Sequence, residues 1–331
     1  MVRGAARAER RRLVVDNSTL SELAKCDTAA FLQYACDLRT REESLALGSG
    51  SSIHLGLQRK LEGASDAEAI RIMAEDYEDR VERYLRLIER GQLGKDDLRF
   101  APEWVEAIFA QYLERYRDRW PYKLVKATAE KPIWAPFPVE VASGKEVIYV
   151  ARLDAIVRKW ESGGKWLLDH KVTRKVSEWW IAKQKVSSQF TGQLWLAREQ
   201  GIIAGAEGVL LNAIELGEPH RSEKVCPLHK VSYQKCSVRH NGGQFIYVTR
   251  HDAEMEAWKH TAAKLIKRWD RLVTLAEEEG IQAIEQVQMQ GRFNQGCVFC
   301  SNKDWCRLGR NVSKAAIRAM FLEEKWDPLA A

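Results

Sequence analysis

The sequence lacks any uninterrupted apolar run of the ~18 residues needed to cross a bilayer, and its opening residues lack the apolar core of a secretory leader. Those two absences point to a cytoplasmic protein with no membrane partner. A large excess of one charge is missing as well: 52 Lys plus Arg against 46 Asp plus Glu leave +6. That balance permits a polyanionic partner without demanding one. Repeats are absent, and low complexity is confined to the basic start. Cysteine is scarce and odd in number, at seven. In a reducing compartment such thiols read as metal ligands and spare buried groups, which excludes a disulfide framework.

What is present is ample core material. A chain of 331 residues with 45% apolar content can build one large domain or two ordinary ones. The twelve tryptophans are expected mostly in core positions. Residues 1–17, with Arg3, Arg7, Arg10, Arg11 and Arg12 among alanines, read as a basic flexible tail. Helical spacing of Leu20, Leu23, Phe31 and Leu32 opens a helical portion over 18–126. Within it, Gly48-Ser49-Gly50-Ser51-Ser52 reads as a break before a further helix, and two longer helices are expected near 66–91 and 102–118.

Strand character follows. Segments 128–137 and 146–159 are β-branched or aromatic, and Glu161–Gly164 reads as a turn into a strand over 165–172. A helix over 176–199, strands over 206–214 and 244–250, and a helix over 252–279 complete a core spanning 127–280, with a polar insertion at about 217–243. The order implies an α/β fold, a mixed sheet flanked by helices. A final portion, 281–331, carries a cysteine cluster and a terminal helix.

Lys165-Trp166-Leu167-Leu168-Asp169-His170-Lys171 is an apolar strand ending in three polar residues. Asp169 and Lys171 point the same way because side chains alternate, and desolvating both is costly unless they pair or meet a cation and substrate. If the preceding turn has an even number of residues, antiparallel pairing puts Asp154 on their face.

These residues resemble a known family. Ala151-Arg152-Leu153-Asp154 is similar to the Gly-Arg-x-Asp motif, Asp169-His170-Lys171 to the (Asp/Glu)-x-Lys motif, and Gly50-Ser51-Ser52-Ile53-His54 to the early Gly-x-x-x-His segment of the PD-(D/E)XK nuclease superfamily. The resemblance is specifically to its RecB-like branch, which includes CRISPR-associated iron-sulfur exonucleases and phage relatives. The resemblance implies a restriction-endonuclease-like fold with an N-terminal helical portion and a C-terminal cysteine-cluster cap. It also implies Mg2+ or Mn2+ held by His54, Asp154 and Asp169, with His170 as a further candidate ligand. Lys171 would then be the catalytic ammonium, and Glu130 is either an added acidic contributor or a plain strand-end glutamate. Carboxylate oxygens suit a hard cation, and an ammonium beside the phosphate stabilises developing negative charge. The Gln-x-x-x-Tyr motif, which orients the DNA strand, is here Gln189-Phe190-Thr191-Gly192-Gln193, so Gln189 carries over while the tyrosine is replaced.

Cys297-x-x-Cys300 and Cys306, with one distant upstream cysteine, could hold zinc or an iron-sulfur cluster on spacing alone. The same resemblance implies a [4Fe-4S] cluster on Cys26, Cys297, Cys300 and Cys306, with Cys36 competing for the upstream place. Cys226, His229, Cys236 and His240 in the insertion read as coincidence or a second metal knuckle. Trp179 beside Arg174 and Lys175 is a candidate platform for single-stranded DNA.

The leading expectation is therefore a metal-dependent DNA exonuclease acting on ends or single strands. Its expected partners are DNA and proteins of recombination, repair or CRISPR adaptation. Two alternatives stand beside it: a DNA-end-binding or adaptor subunit with little cleavage, and a zinc-stabilised nucleic-acid module without catalysis.

Overall fold

A computed structural model of the chain describes residues 12–40, 44–87, 100–117, 120–127, 131–160, 163–203, 207–217, 243–288, 297, 300–307, 309–310 and 312–329. Its centre is a five-stranded mixed sheet of β3 (Tyr122–Ala127), β6 (Ala155–Lys159), β7 (Lys165–Thr173), β8 (Val209–Glu215) and β9 (Gln244–Val248), in the order β3-β6-β7-β8-β9. Strands β7 and β8 run parallel, and the other neighbours are antiparallel. β8 reads Val-Leu-Leu-Asn-Ala-Ile-Glu and is buried along nearly its whole length, as a strand covered on both faces must be.

One face of the sheet is covered by α3 (Leu45–Leu61), α4 (Asp66–Leu87) and α5 (Pro102–Tyr116). Ile53, Leu57, Met73, Tyr77, Phe109 and Tyr112 from these helices share a core with Ile214 of β8. A side chain at Gly56 would lie 2.7 Å from the Phe109 ring, so the close crossing of α3 and α5 requires glycine there. The other face carries α6 (Glu178–Lys185) and α7 (Ser188–Glu199). In α7 everything from Phe190 to Ala197 is buried, because it lies between the sheet and α8 (Asp252–Glu279).

A second sheet joins β1 (Arg12–Val15), β5 (Glu146–Arg152) and β4 (Pro132–Pro136) in the order β1-β5-β4. A further pair is formed where β2 (Leu38–Thr40) runs antiparallel to β10 (Phe321–Glu323).

Four expectations need correction. Residues 12–15 are not part of a flexible tail: Leu13 and Val15 are buried, and β1 pairs parallel with β5. The Gly-Ser stretch does not break a helix. Ser49 and Ser52 are fully buried within α3, and Ser52 Oγ donates to Gly48 O at 3.0 Å and to Asp76 Oδ2 at 2.6 Å, so small residues here serve close packing on α4. The helix expected over 176–199 divides between Lys185 and Ser188, where the Arg250 guanidinium donates to Ser187 O and Thr191 Oγ1. The portion 18–126 is not all helical, since it contributes β2 and the edge strand β3.

Candidate active site

The single strand expected over 146–159 is two strands, β5 and β6, parted at Leu153 and Asp154 as the chain passes from the small sheet to the large one. Leu153 is buried and anchors the crossing. Asp154 is thereby released from the ladder, and its Oδ2 accepts the backbone N–H of His170 at 2.6 Å. Ala155 pairs with Leu168, which places position 154 across from position 169.

Asp169 is 4% exposed. Its Oδ2 lies 2.8 Å from Lys171 Nζ on the same face of β7. Its Oδ1 receives two amide donors from consecutive turns of α7: Gln189 Nε2 at 3.1 Å and Gln193 Nε2 at 3.3 Å. Gln193 Nε2 also reaches Arg152 O at 3.2 Å. Three side chains thus fix one buried carboxylate. From the opposite side α3 brings His54, whose Nδ1 lies 3.7 Å from Asp154 Oδ2.

His170, between Asp169 and Lys171, turns to the other face. Its Nδ1 lies 2.6 Å from Asn212 Nδ2, and Tyr112 OH donates to Asn212 Oδ1 at 2.8 Å. Since the tyrosine occupies the amide oxygen, the Asn212 amide donates to Nδ1, and the His170 proton sits on Nε2. Burial, followed by the neighbouring His54, pushes the His170 pKa down to about 3, so the ring is neutral. The structure therefore gives His170 a different surrounding from Asp169, and its ring is not brought to the Lys171 side.

The profile of the PD-(D/E)XK nuclease superfamily matches residues 17–307. The chain belongs to that superfamily. Its mixed α/β fold is the restriction-endonuclease-like one expected. No curated protein is a significant match to the chain. Among solved structures, one titled "Crystal structure of SSO0001" is 15% identical, with 78% of this chain and 84% of that chain covered and a TM-score of 0.29.

PD-(D/E)XK nucleases use Mg2+ or Mn2+. Among the described residues, no three His, Cys, Asp or Glu side chains already converge closely enough to hold an ion. The donor chemistry nevertheless fits: Asp154 and Asp169 offer hard oxygens around a buried site whose charge a cation would offset. Glu130 and the four insertion residues Cys226, His229, Cys236 and His240 lie outside the described residues.

Cys26 occupies an extended break between α1 (Asn17–Lys25) and α2 (Asp27–Ala30). The Cys306 thiol is pushed up to about 11 by burial, then by the charges of Cys300, Cys26 and Cys297. Cys300 is raised by burial as well, again with Cys26 and Cys297 as neighbours. Cys36 is pushed up to about 12 by burial and Asp37, with no other thiol contributing. Cys26 is thus among the groups that act on Cys300 and Cys306, and Cys36 is not, while among the described residues the thiols do not already converge into a metal-holding set. A bound cation would favour the thiolates of Cys300 and Cys306, which burial now disfavours.

Trp179 on α6 is 72% exposed, with Lys183 Nζ 5.6 Å from its ring centre, while Arg174 and Lys175 are exposed just before the helix. Trp180 packs partly buried against the core of Phe190 and Leu194. Asn212 and Tyr112 are not among the residues the sequence points to, and Gln193, in the tyrosine place of the resembled motif, reaches Asp169. The available signal for Asn212 was a lone amide inside an apolar strand, which must find a partner when buried.

Proposed function

We propose that the chain is a divalent-metal-dependent DNA exonuclease that hydrolyses phosphodiester bonds and carries a structural [4Fe-4S] cluster. One observation supports this above the rest: Asp169 is buried, held by two α7 glutamines and paired with Lys171, beside Asp154 and His54. A divalent cation bound by Asp154 and Asp169, with His54 as a third ligand, would acidify water and screen the phosphate charge. Lys171 would hold positive charge next to the phosphate as oxygen bonds to phosphorus and the bond to the departing nucleoside oxygen breaks. Gln189 and Gln193 would keep Asp169 from turning away during this exchange.

The cluster reading assigns Cys26, Cys297, Cys300 and Cys306 as ligands. Joining position 26 to positions near 300 closes most of the chain into a loop, where a cross-link stabilises most. Trp179, Arg174 and Lys175 would hold a single strand by stacking and phosphate contacts. Recombination, repair and CRISPR-adaptation proteins are the partner classes such an activity serves.

One observation favours a second reading, a DNA-end-binding or adaptor subunit that cuts little. Gln193 stands where the resembled motif has a strand-orienting tyrosine, and it is turned inward onto Asp169. Incubation of a linear and a covalently closed circular single strand with Mn2+ separates the readings. An exonuclease degrades only the linear strand. Binding to linear DNA with neither strand degraded would favour the adaptor.

A further inference from the structure

Arg250, between β9 and α8, is buried against α7 and tied to both ends of that helix. From the last turn of α7, Arg198 Nη2 donates to Arg250 O at 3.5 Å. At the first turn, the Arg250 guanidinium donates through Nε to Thr191 Oγ1 at 2.8 Å and through Nη2 to Ser187 O at 3.1 Å. The Thr191 hydroxyl donates in turn to Ser187 O at 3.4 Å. Nη1 holds Thr249 O at 2.8 Å, which fixes the guanidinium to its own loop.

This is an odd place for a cation. The first turn of a helix presents the positive end of its dipole, and burial there holds the Arg250 pKa below its usual value. The usual fasteners of a helix start are absent: the Ser187 side chain does not cap α7, and no acidic residue lies in its first turn. The guanidinium fastens it instead. Its contacts at 187 and 191 bracket Gln189, and Gln193 follows two residues later. Positions two apart on a helix are turned by about 200°, so Thr191 faces Arg250 while Gln189 and Gln193 face Asp169. A slip of one residue would carry a side chain about 1.5 Å along the axis and swing it by about 100°. At 3.1 and 3.3 Å the two amide contacts to Asp169 leave no slack for that.

We propose that Arg250 is a positioning residue of the active site: by gripping Ser187 and Thr191 it sets the axial place and rotation of α7, so that Gln189 and Gln193 hold Asp169 in place for a divalent cation. The proposal rests on the reading of Asp169 as a metal ligand. It makes the loop after β9, and not α7 alone, part of what the site requires.

The test is Mn2+ binding by the full chain without DNA. Free Mn2+ is followed by electron paramagnetic resonance, and Asp169→Ala defines the binding that belongs to this site. Arg250→Met keeps much of the side chain's length and removes its donors. Its Mn2+ dissociation constant is expected to rise about tenfold, the size of effect that losing an outer partner of a metal ligand has. In Gln189→Ala/Gln193→Leu protein the same change is expected to cost less than about twofold, because the helix then has no amide to place. Arg250→Lys, which keeps a donor within reach, should lie between. Thr191→Val removes one contact from the α7 side and should repeat the pattern at about threefold, so the comparison stands even where Arg250→Met does not fold.

A merely structural arginine would lower the melting temperature and leave Mn2+ affinity unchanged, or weaken it equally in both backgrounds. Either result would overturn the proposal. Weakened Mn2+ binding in Arg250→Met, in a protein whose wild type hydrolyses no DNA, would keep the positioning role and defeat the nuclease reading alone. Hydrolysis by wild type with Mn2+ affinity unchanged in Arg250→Met would defeat the positioning role alone. Wild type that binds no Mn2+ at Asp169 would overturn the proposal together with the metal-ligand reading.

Discussion

Gln193 and Asp169 meet at 3.3 Å, amide nitrogen to carboxylate Oδ1, on the same oxygen that Gln189 reaches at 3.1 Å from one helical turn earlier. The residue that departs from the resembled motif is thus turned inward onto the carboxylate. Gln193→Leu keeps the volume and the buried helix but leaves Oδ1 to Gln189 alone. Cleavage is expected to fall about 10- to 100-fold, the usual cost of losing a group that orients a metal-site carboxylate. Circular dichroism should stay unchanged. Full activity in the variant would show that Gln189 suffices.

The Tyr112–Asn212–His170 chain makes a stability prediction. Asn212 is fully buried, and both of its partners are buried as well. Asn212→Ala leaves the tyrosine hydroxyl and the His170 ring unpaired, and is expected to cost about 2–3 kcal/mol in urea unfolding. Tyr112→Phe, which leaves only the Asn212 oxygen unpaired, should cost less. Equal costs would mean that the three groups do not act as a chain.

The architecture was legible in the sequence wherever one period governed a segment. The 252–279 helix and the 165–172 strand were read from apolar spacing, and α8 and β7 occupy those positions. The misreadings share a cause. In α3, Gly48 to Ser52 have the local chemistry of a breaker, but packing against α4 and α5 rewards small residues, and tertiary contact overrode propensity. The strand over 146–159 hid its own division, because nothing local marks Leu153 and Asp154 as the crossing between sheets. For the site, the pairing that puts Asp154 across from Asp169 follows from alternation and turn length. The inward turn of Gln193 and the Asn212 chain depend on which helix lies over which strand, and pattern does not carry that.

A pH dependence follows from His170. Its folded pKa is depressed to about 3 from an ordinary 6.5, so between those values the unfolded chain binds the extra proton. Stability from this group is therefore fully present above about 6.5 and is lost as pH falls toward 3, by at most about 1.4 kcal/mol per pH unit. In metal-free protein the melting temperature should drop between pH 7 and pH 5. His170→Asn should flatten that slope. An identical slope in the variant would assign the acid sensitivity to other groups.

The cysteines make a spectroscopic prediction. Protein purified without oxygen should be brown with broad absorption near ~400 nm, whereas a zinc protein would be colourless. Cys306→Ser and Cys26→Ser should lose the colour. Cys36→Ser should keep it, because the Cys36 thiol is raised by burial and Asp37 rather than by the other thiols. Colour lost in Cys36→Ser and retained in Cys26→Ser would reverse the upstream ligand.

The central claim is that Asp169 and Lys171 together perform phosphodiester hydrolysis, and one assay reaches it directly. End-labelled single-stranded DNA is incubated with Mn2+ or Mg2+ and wild type, Asp169→Ala or Lys171→Ala, each checked for retained fold. Wild type is expected to release labelled product only with metal, and both variants should be slower by at least about 100-fold. Equal rates in all three proteins would contradict the account.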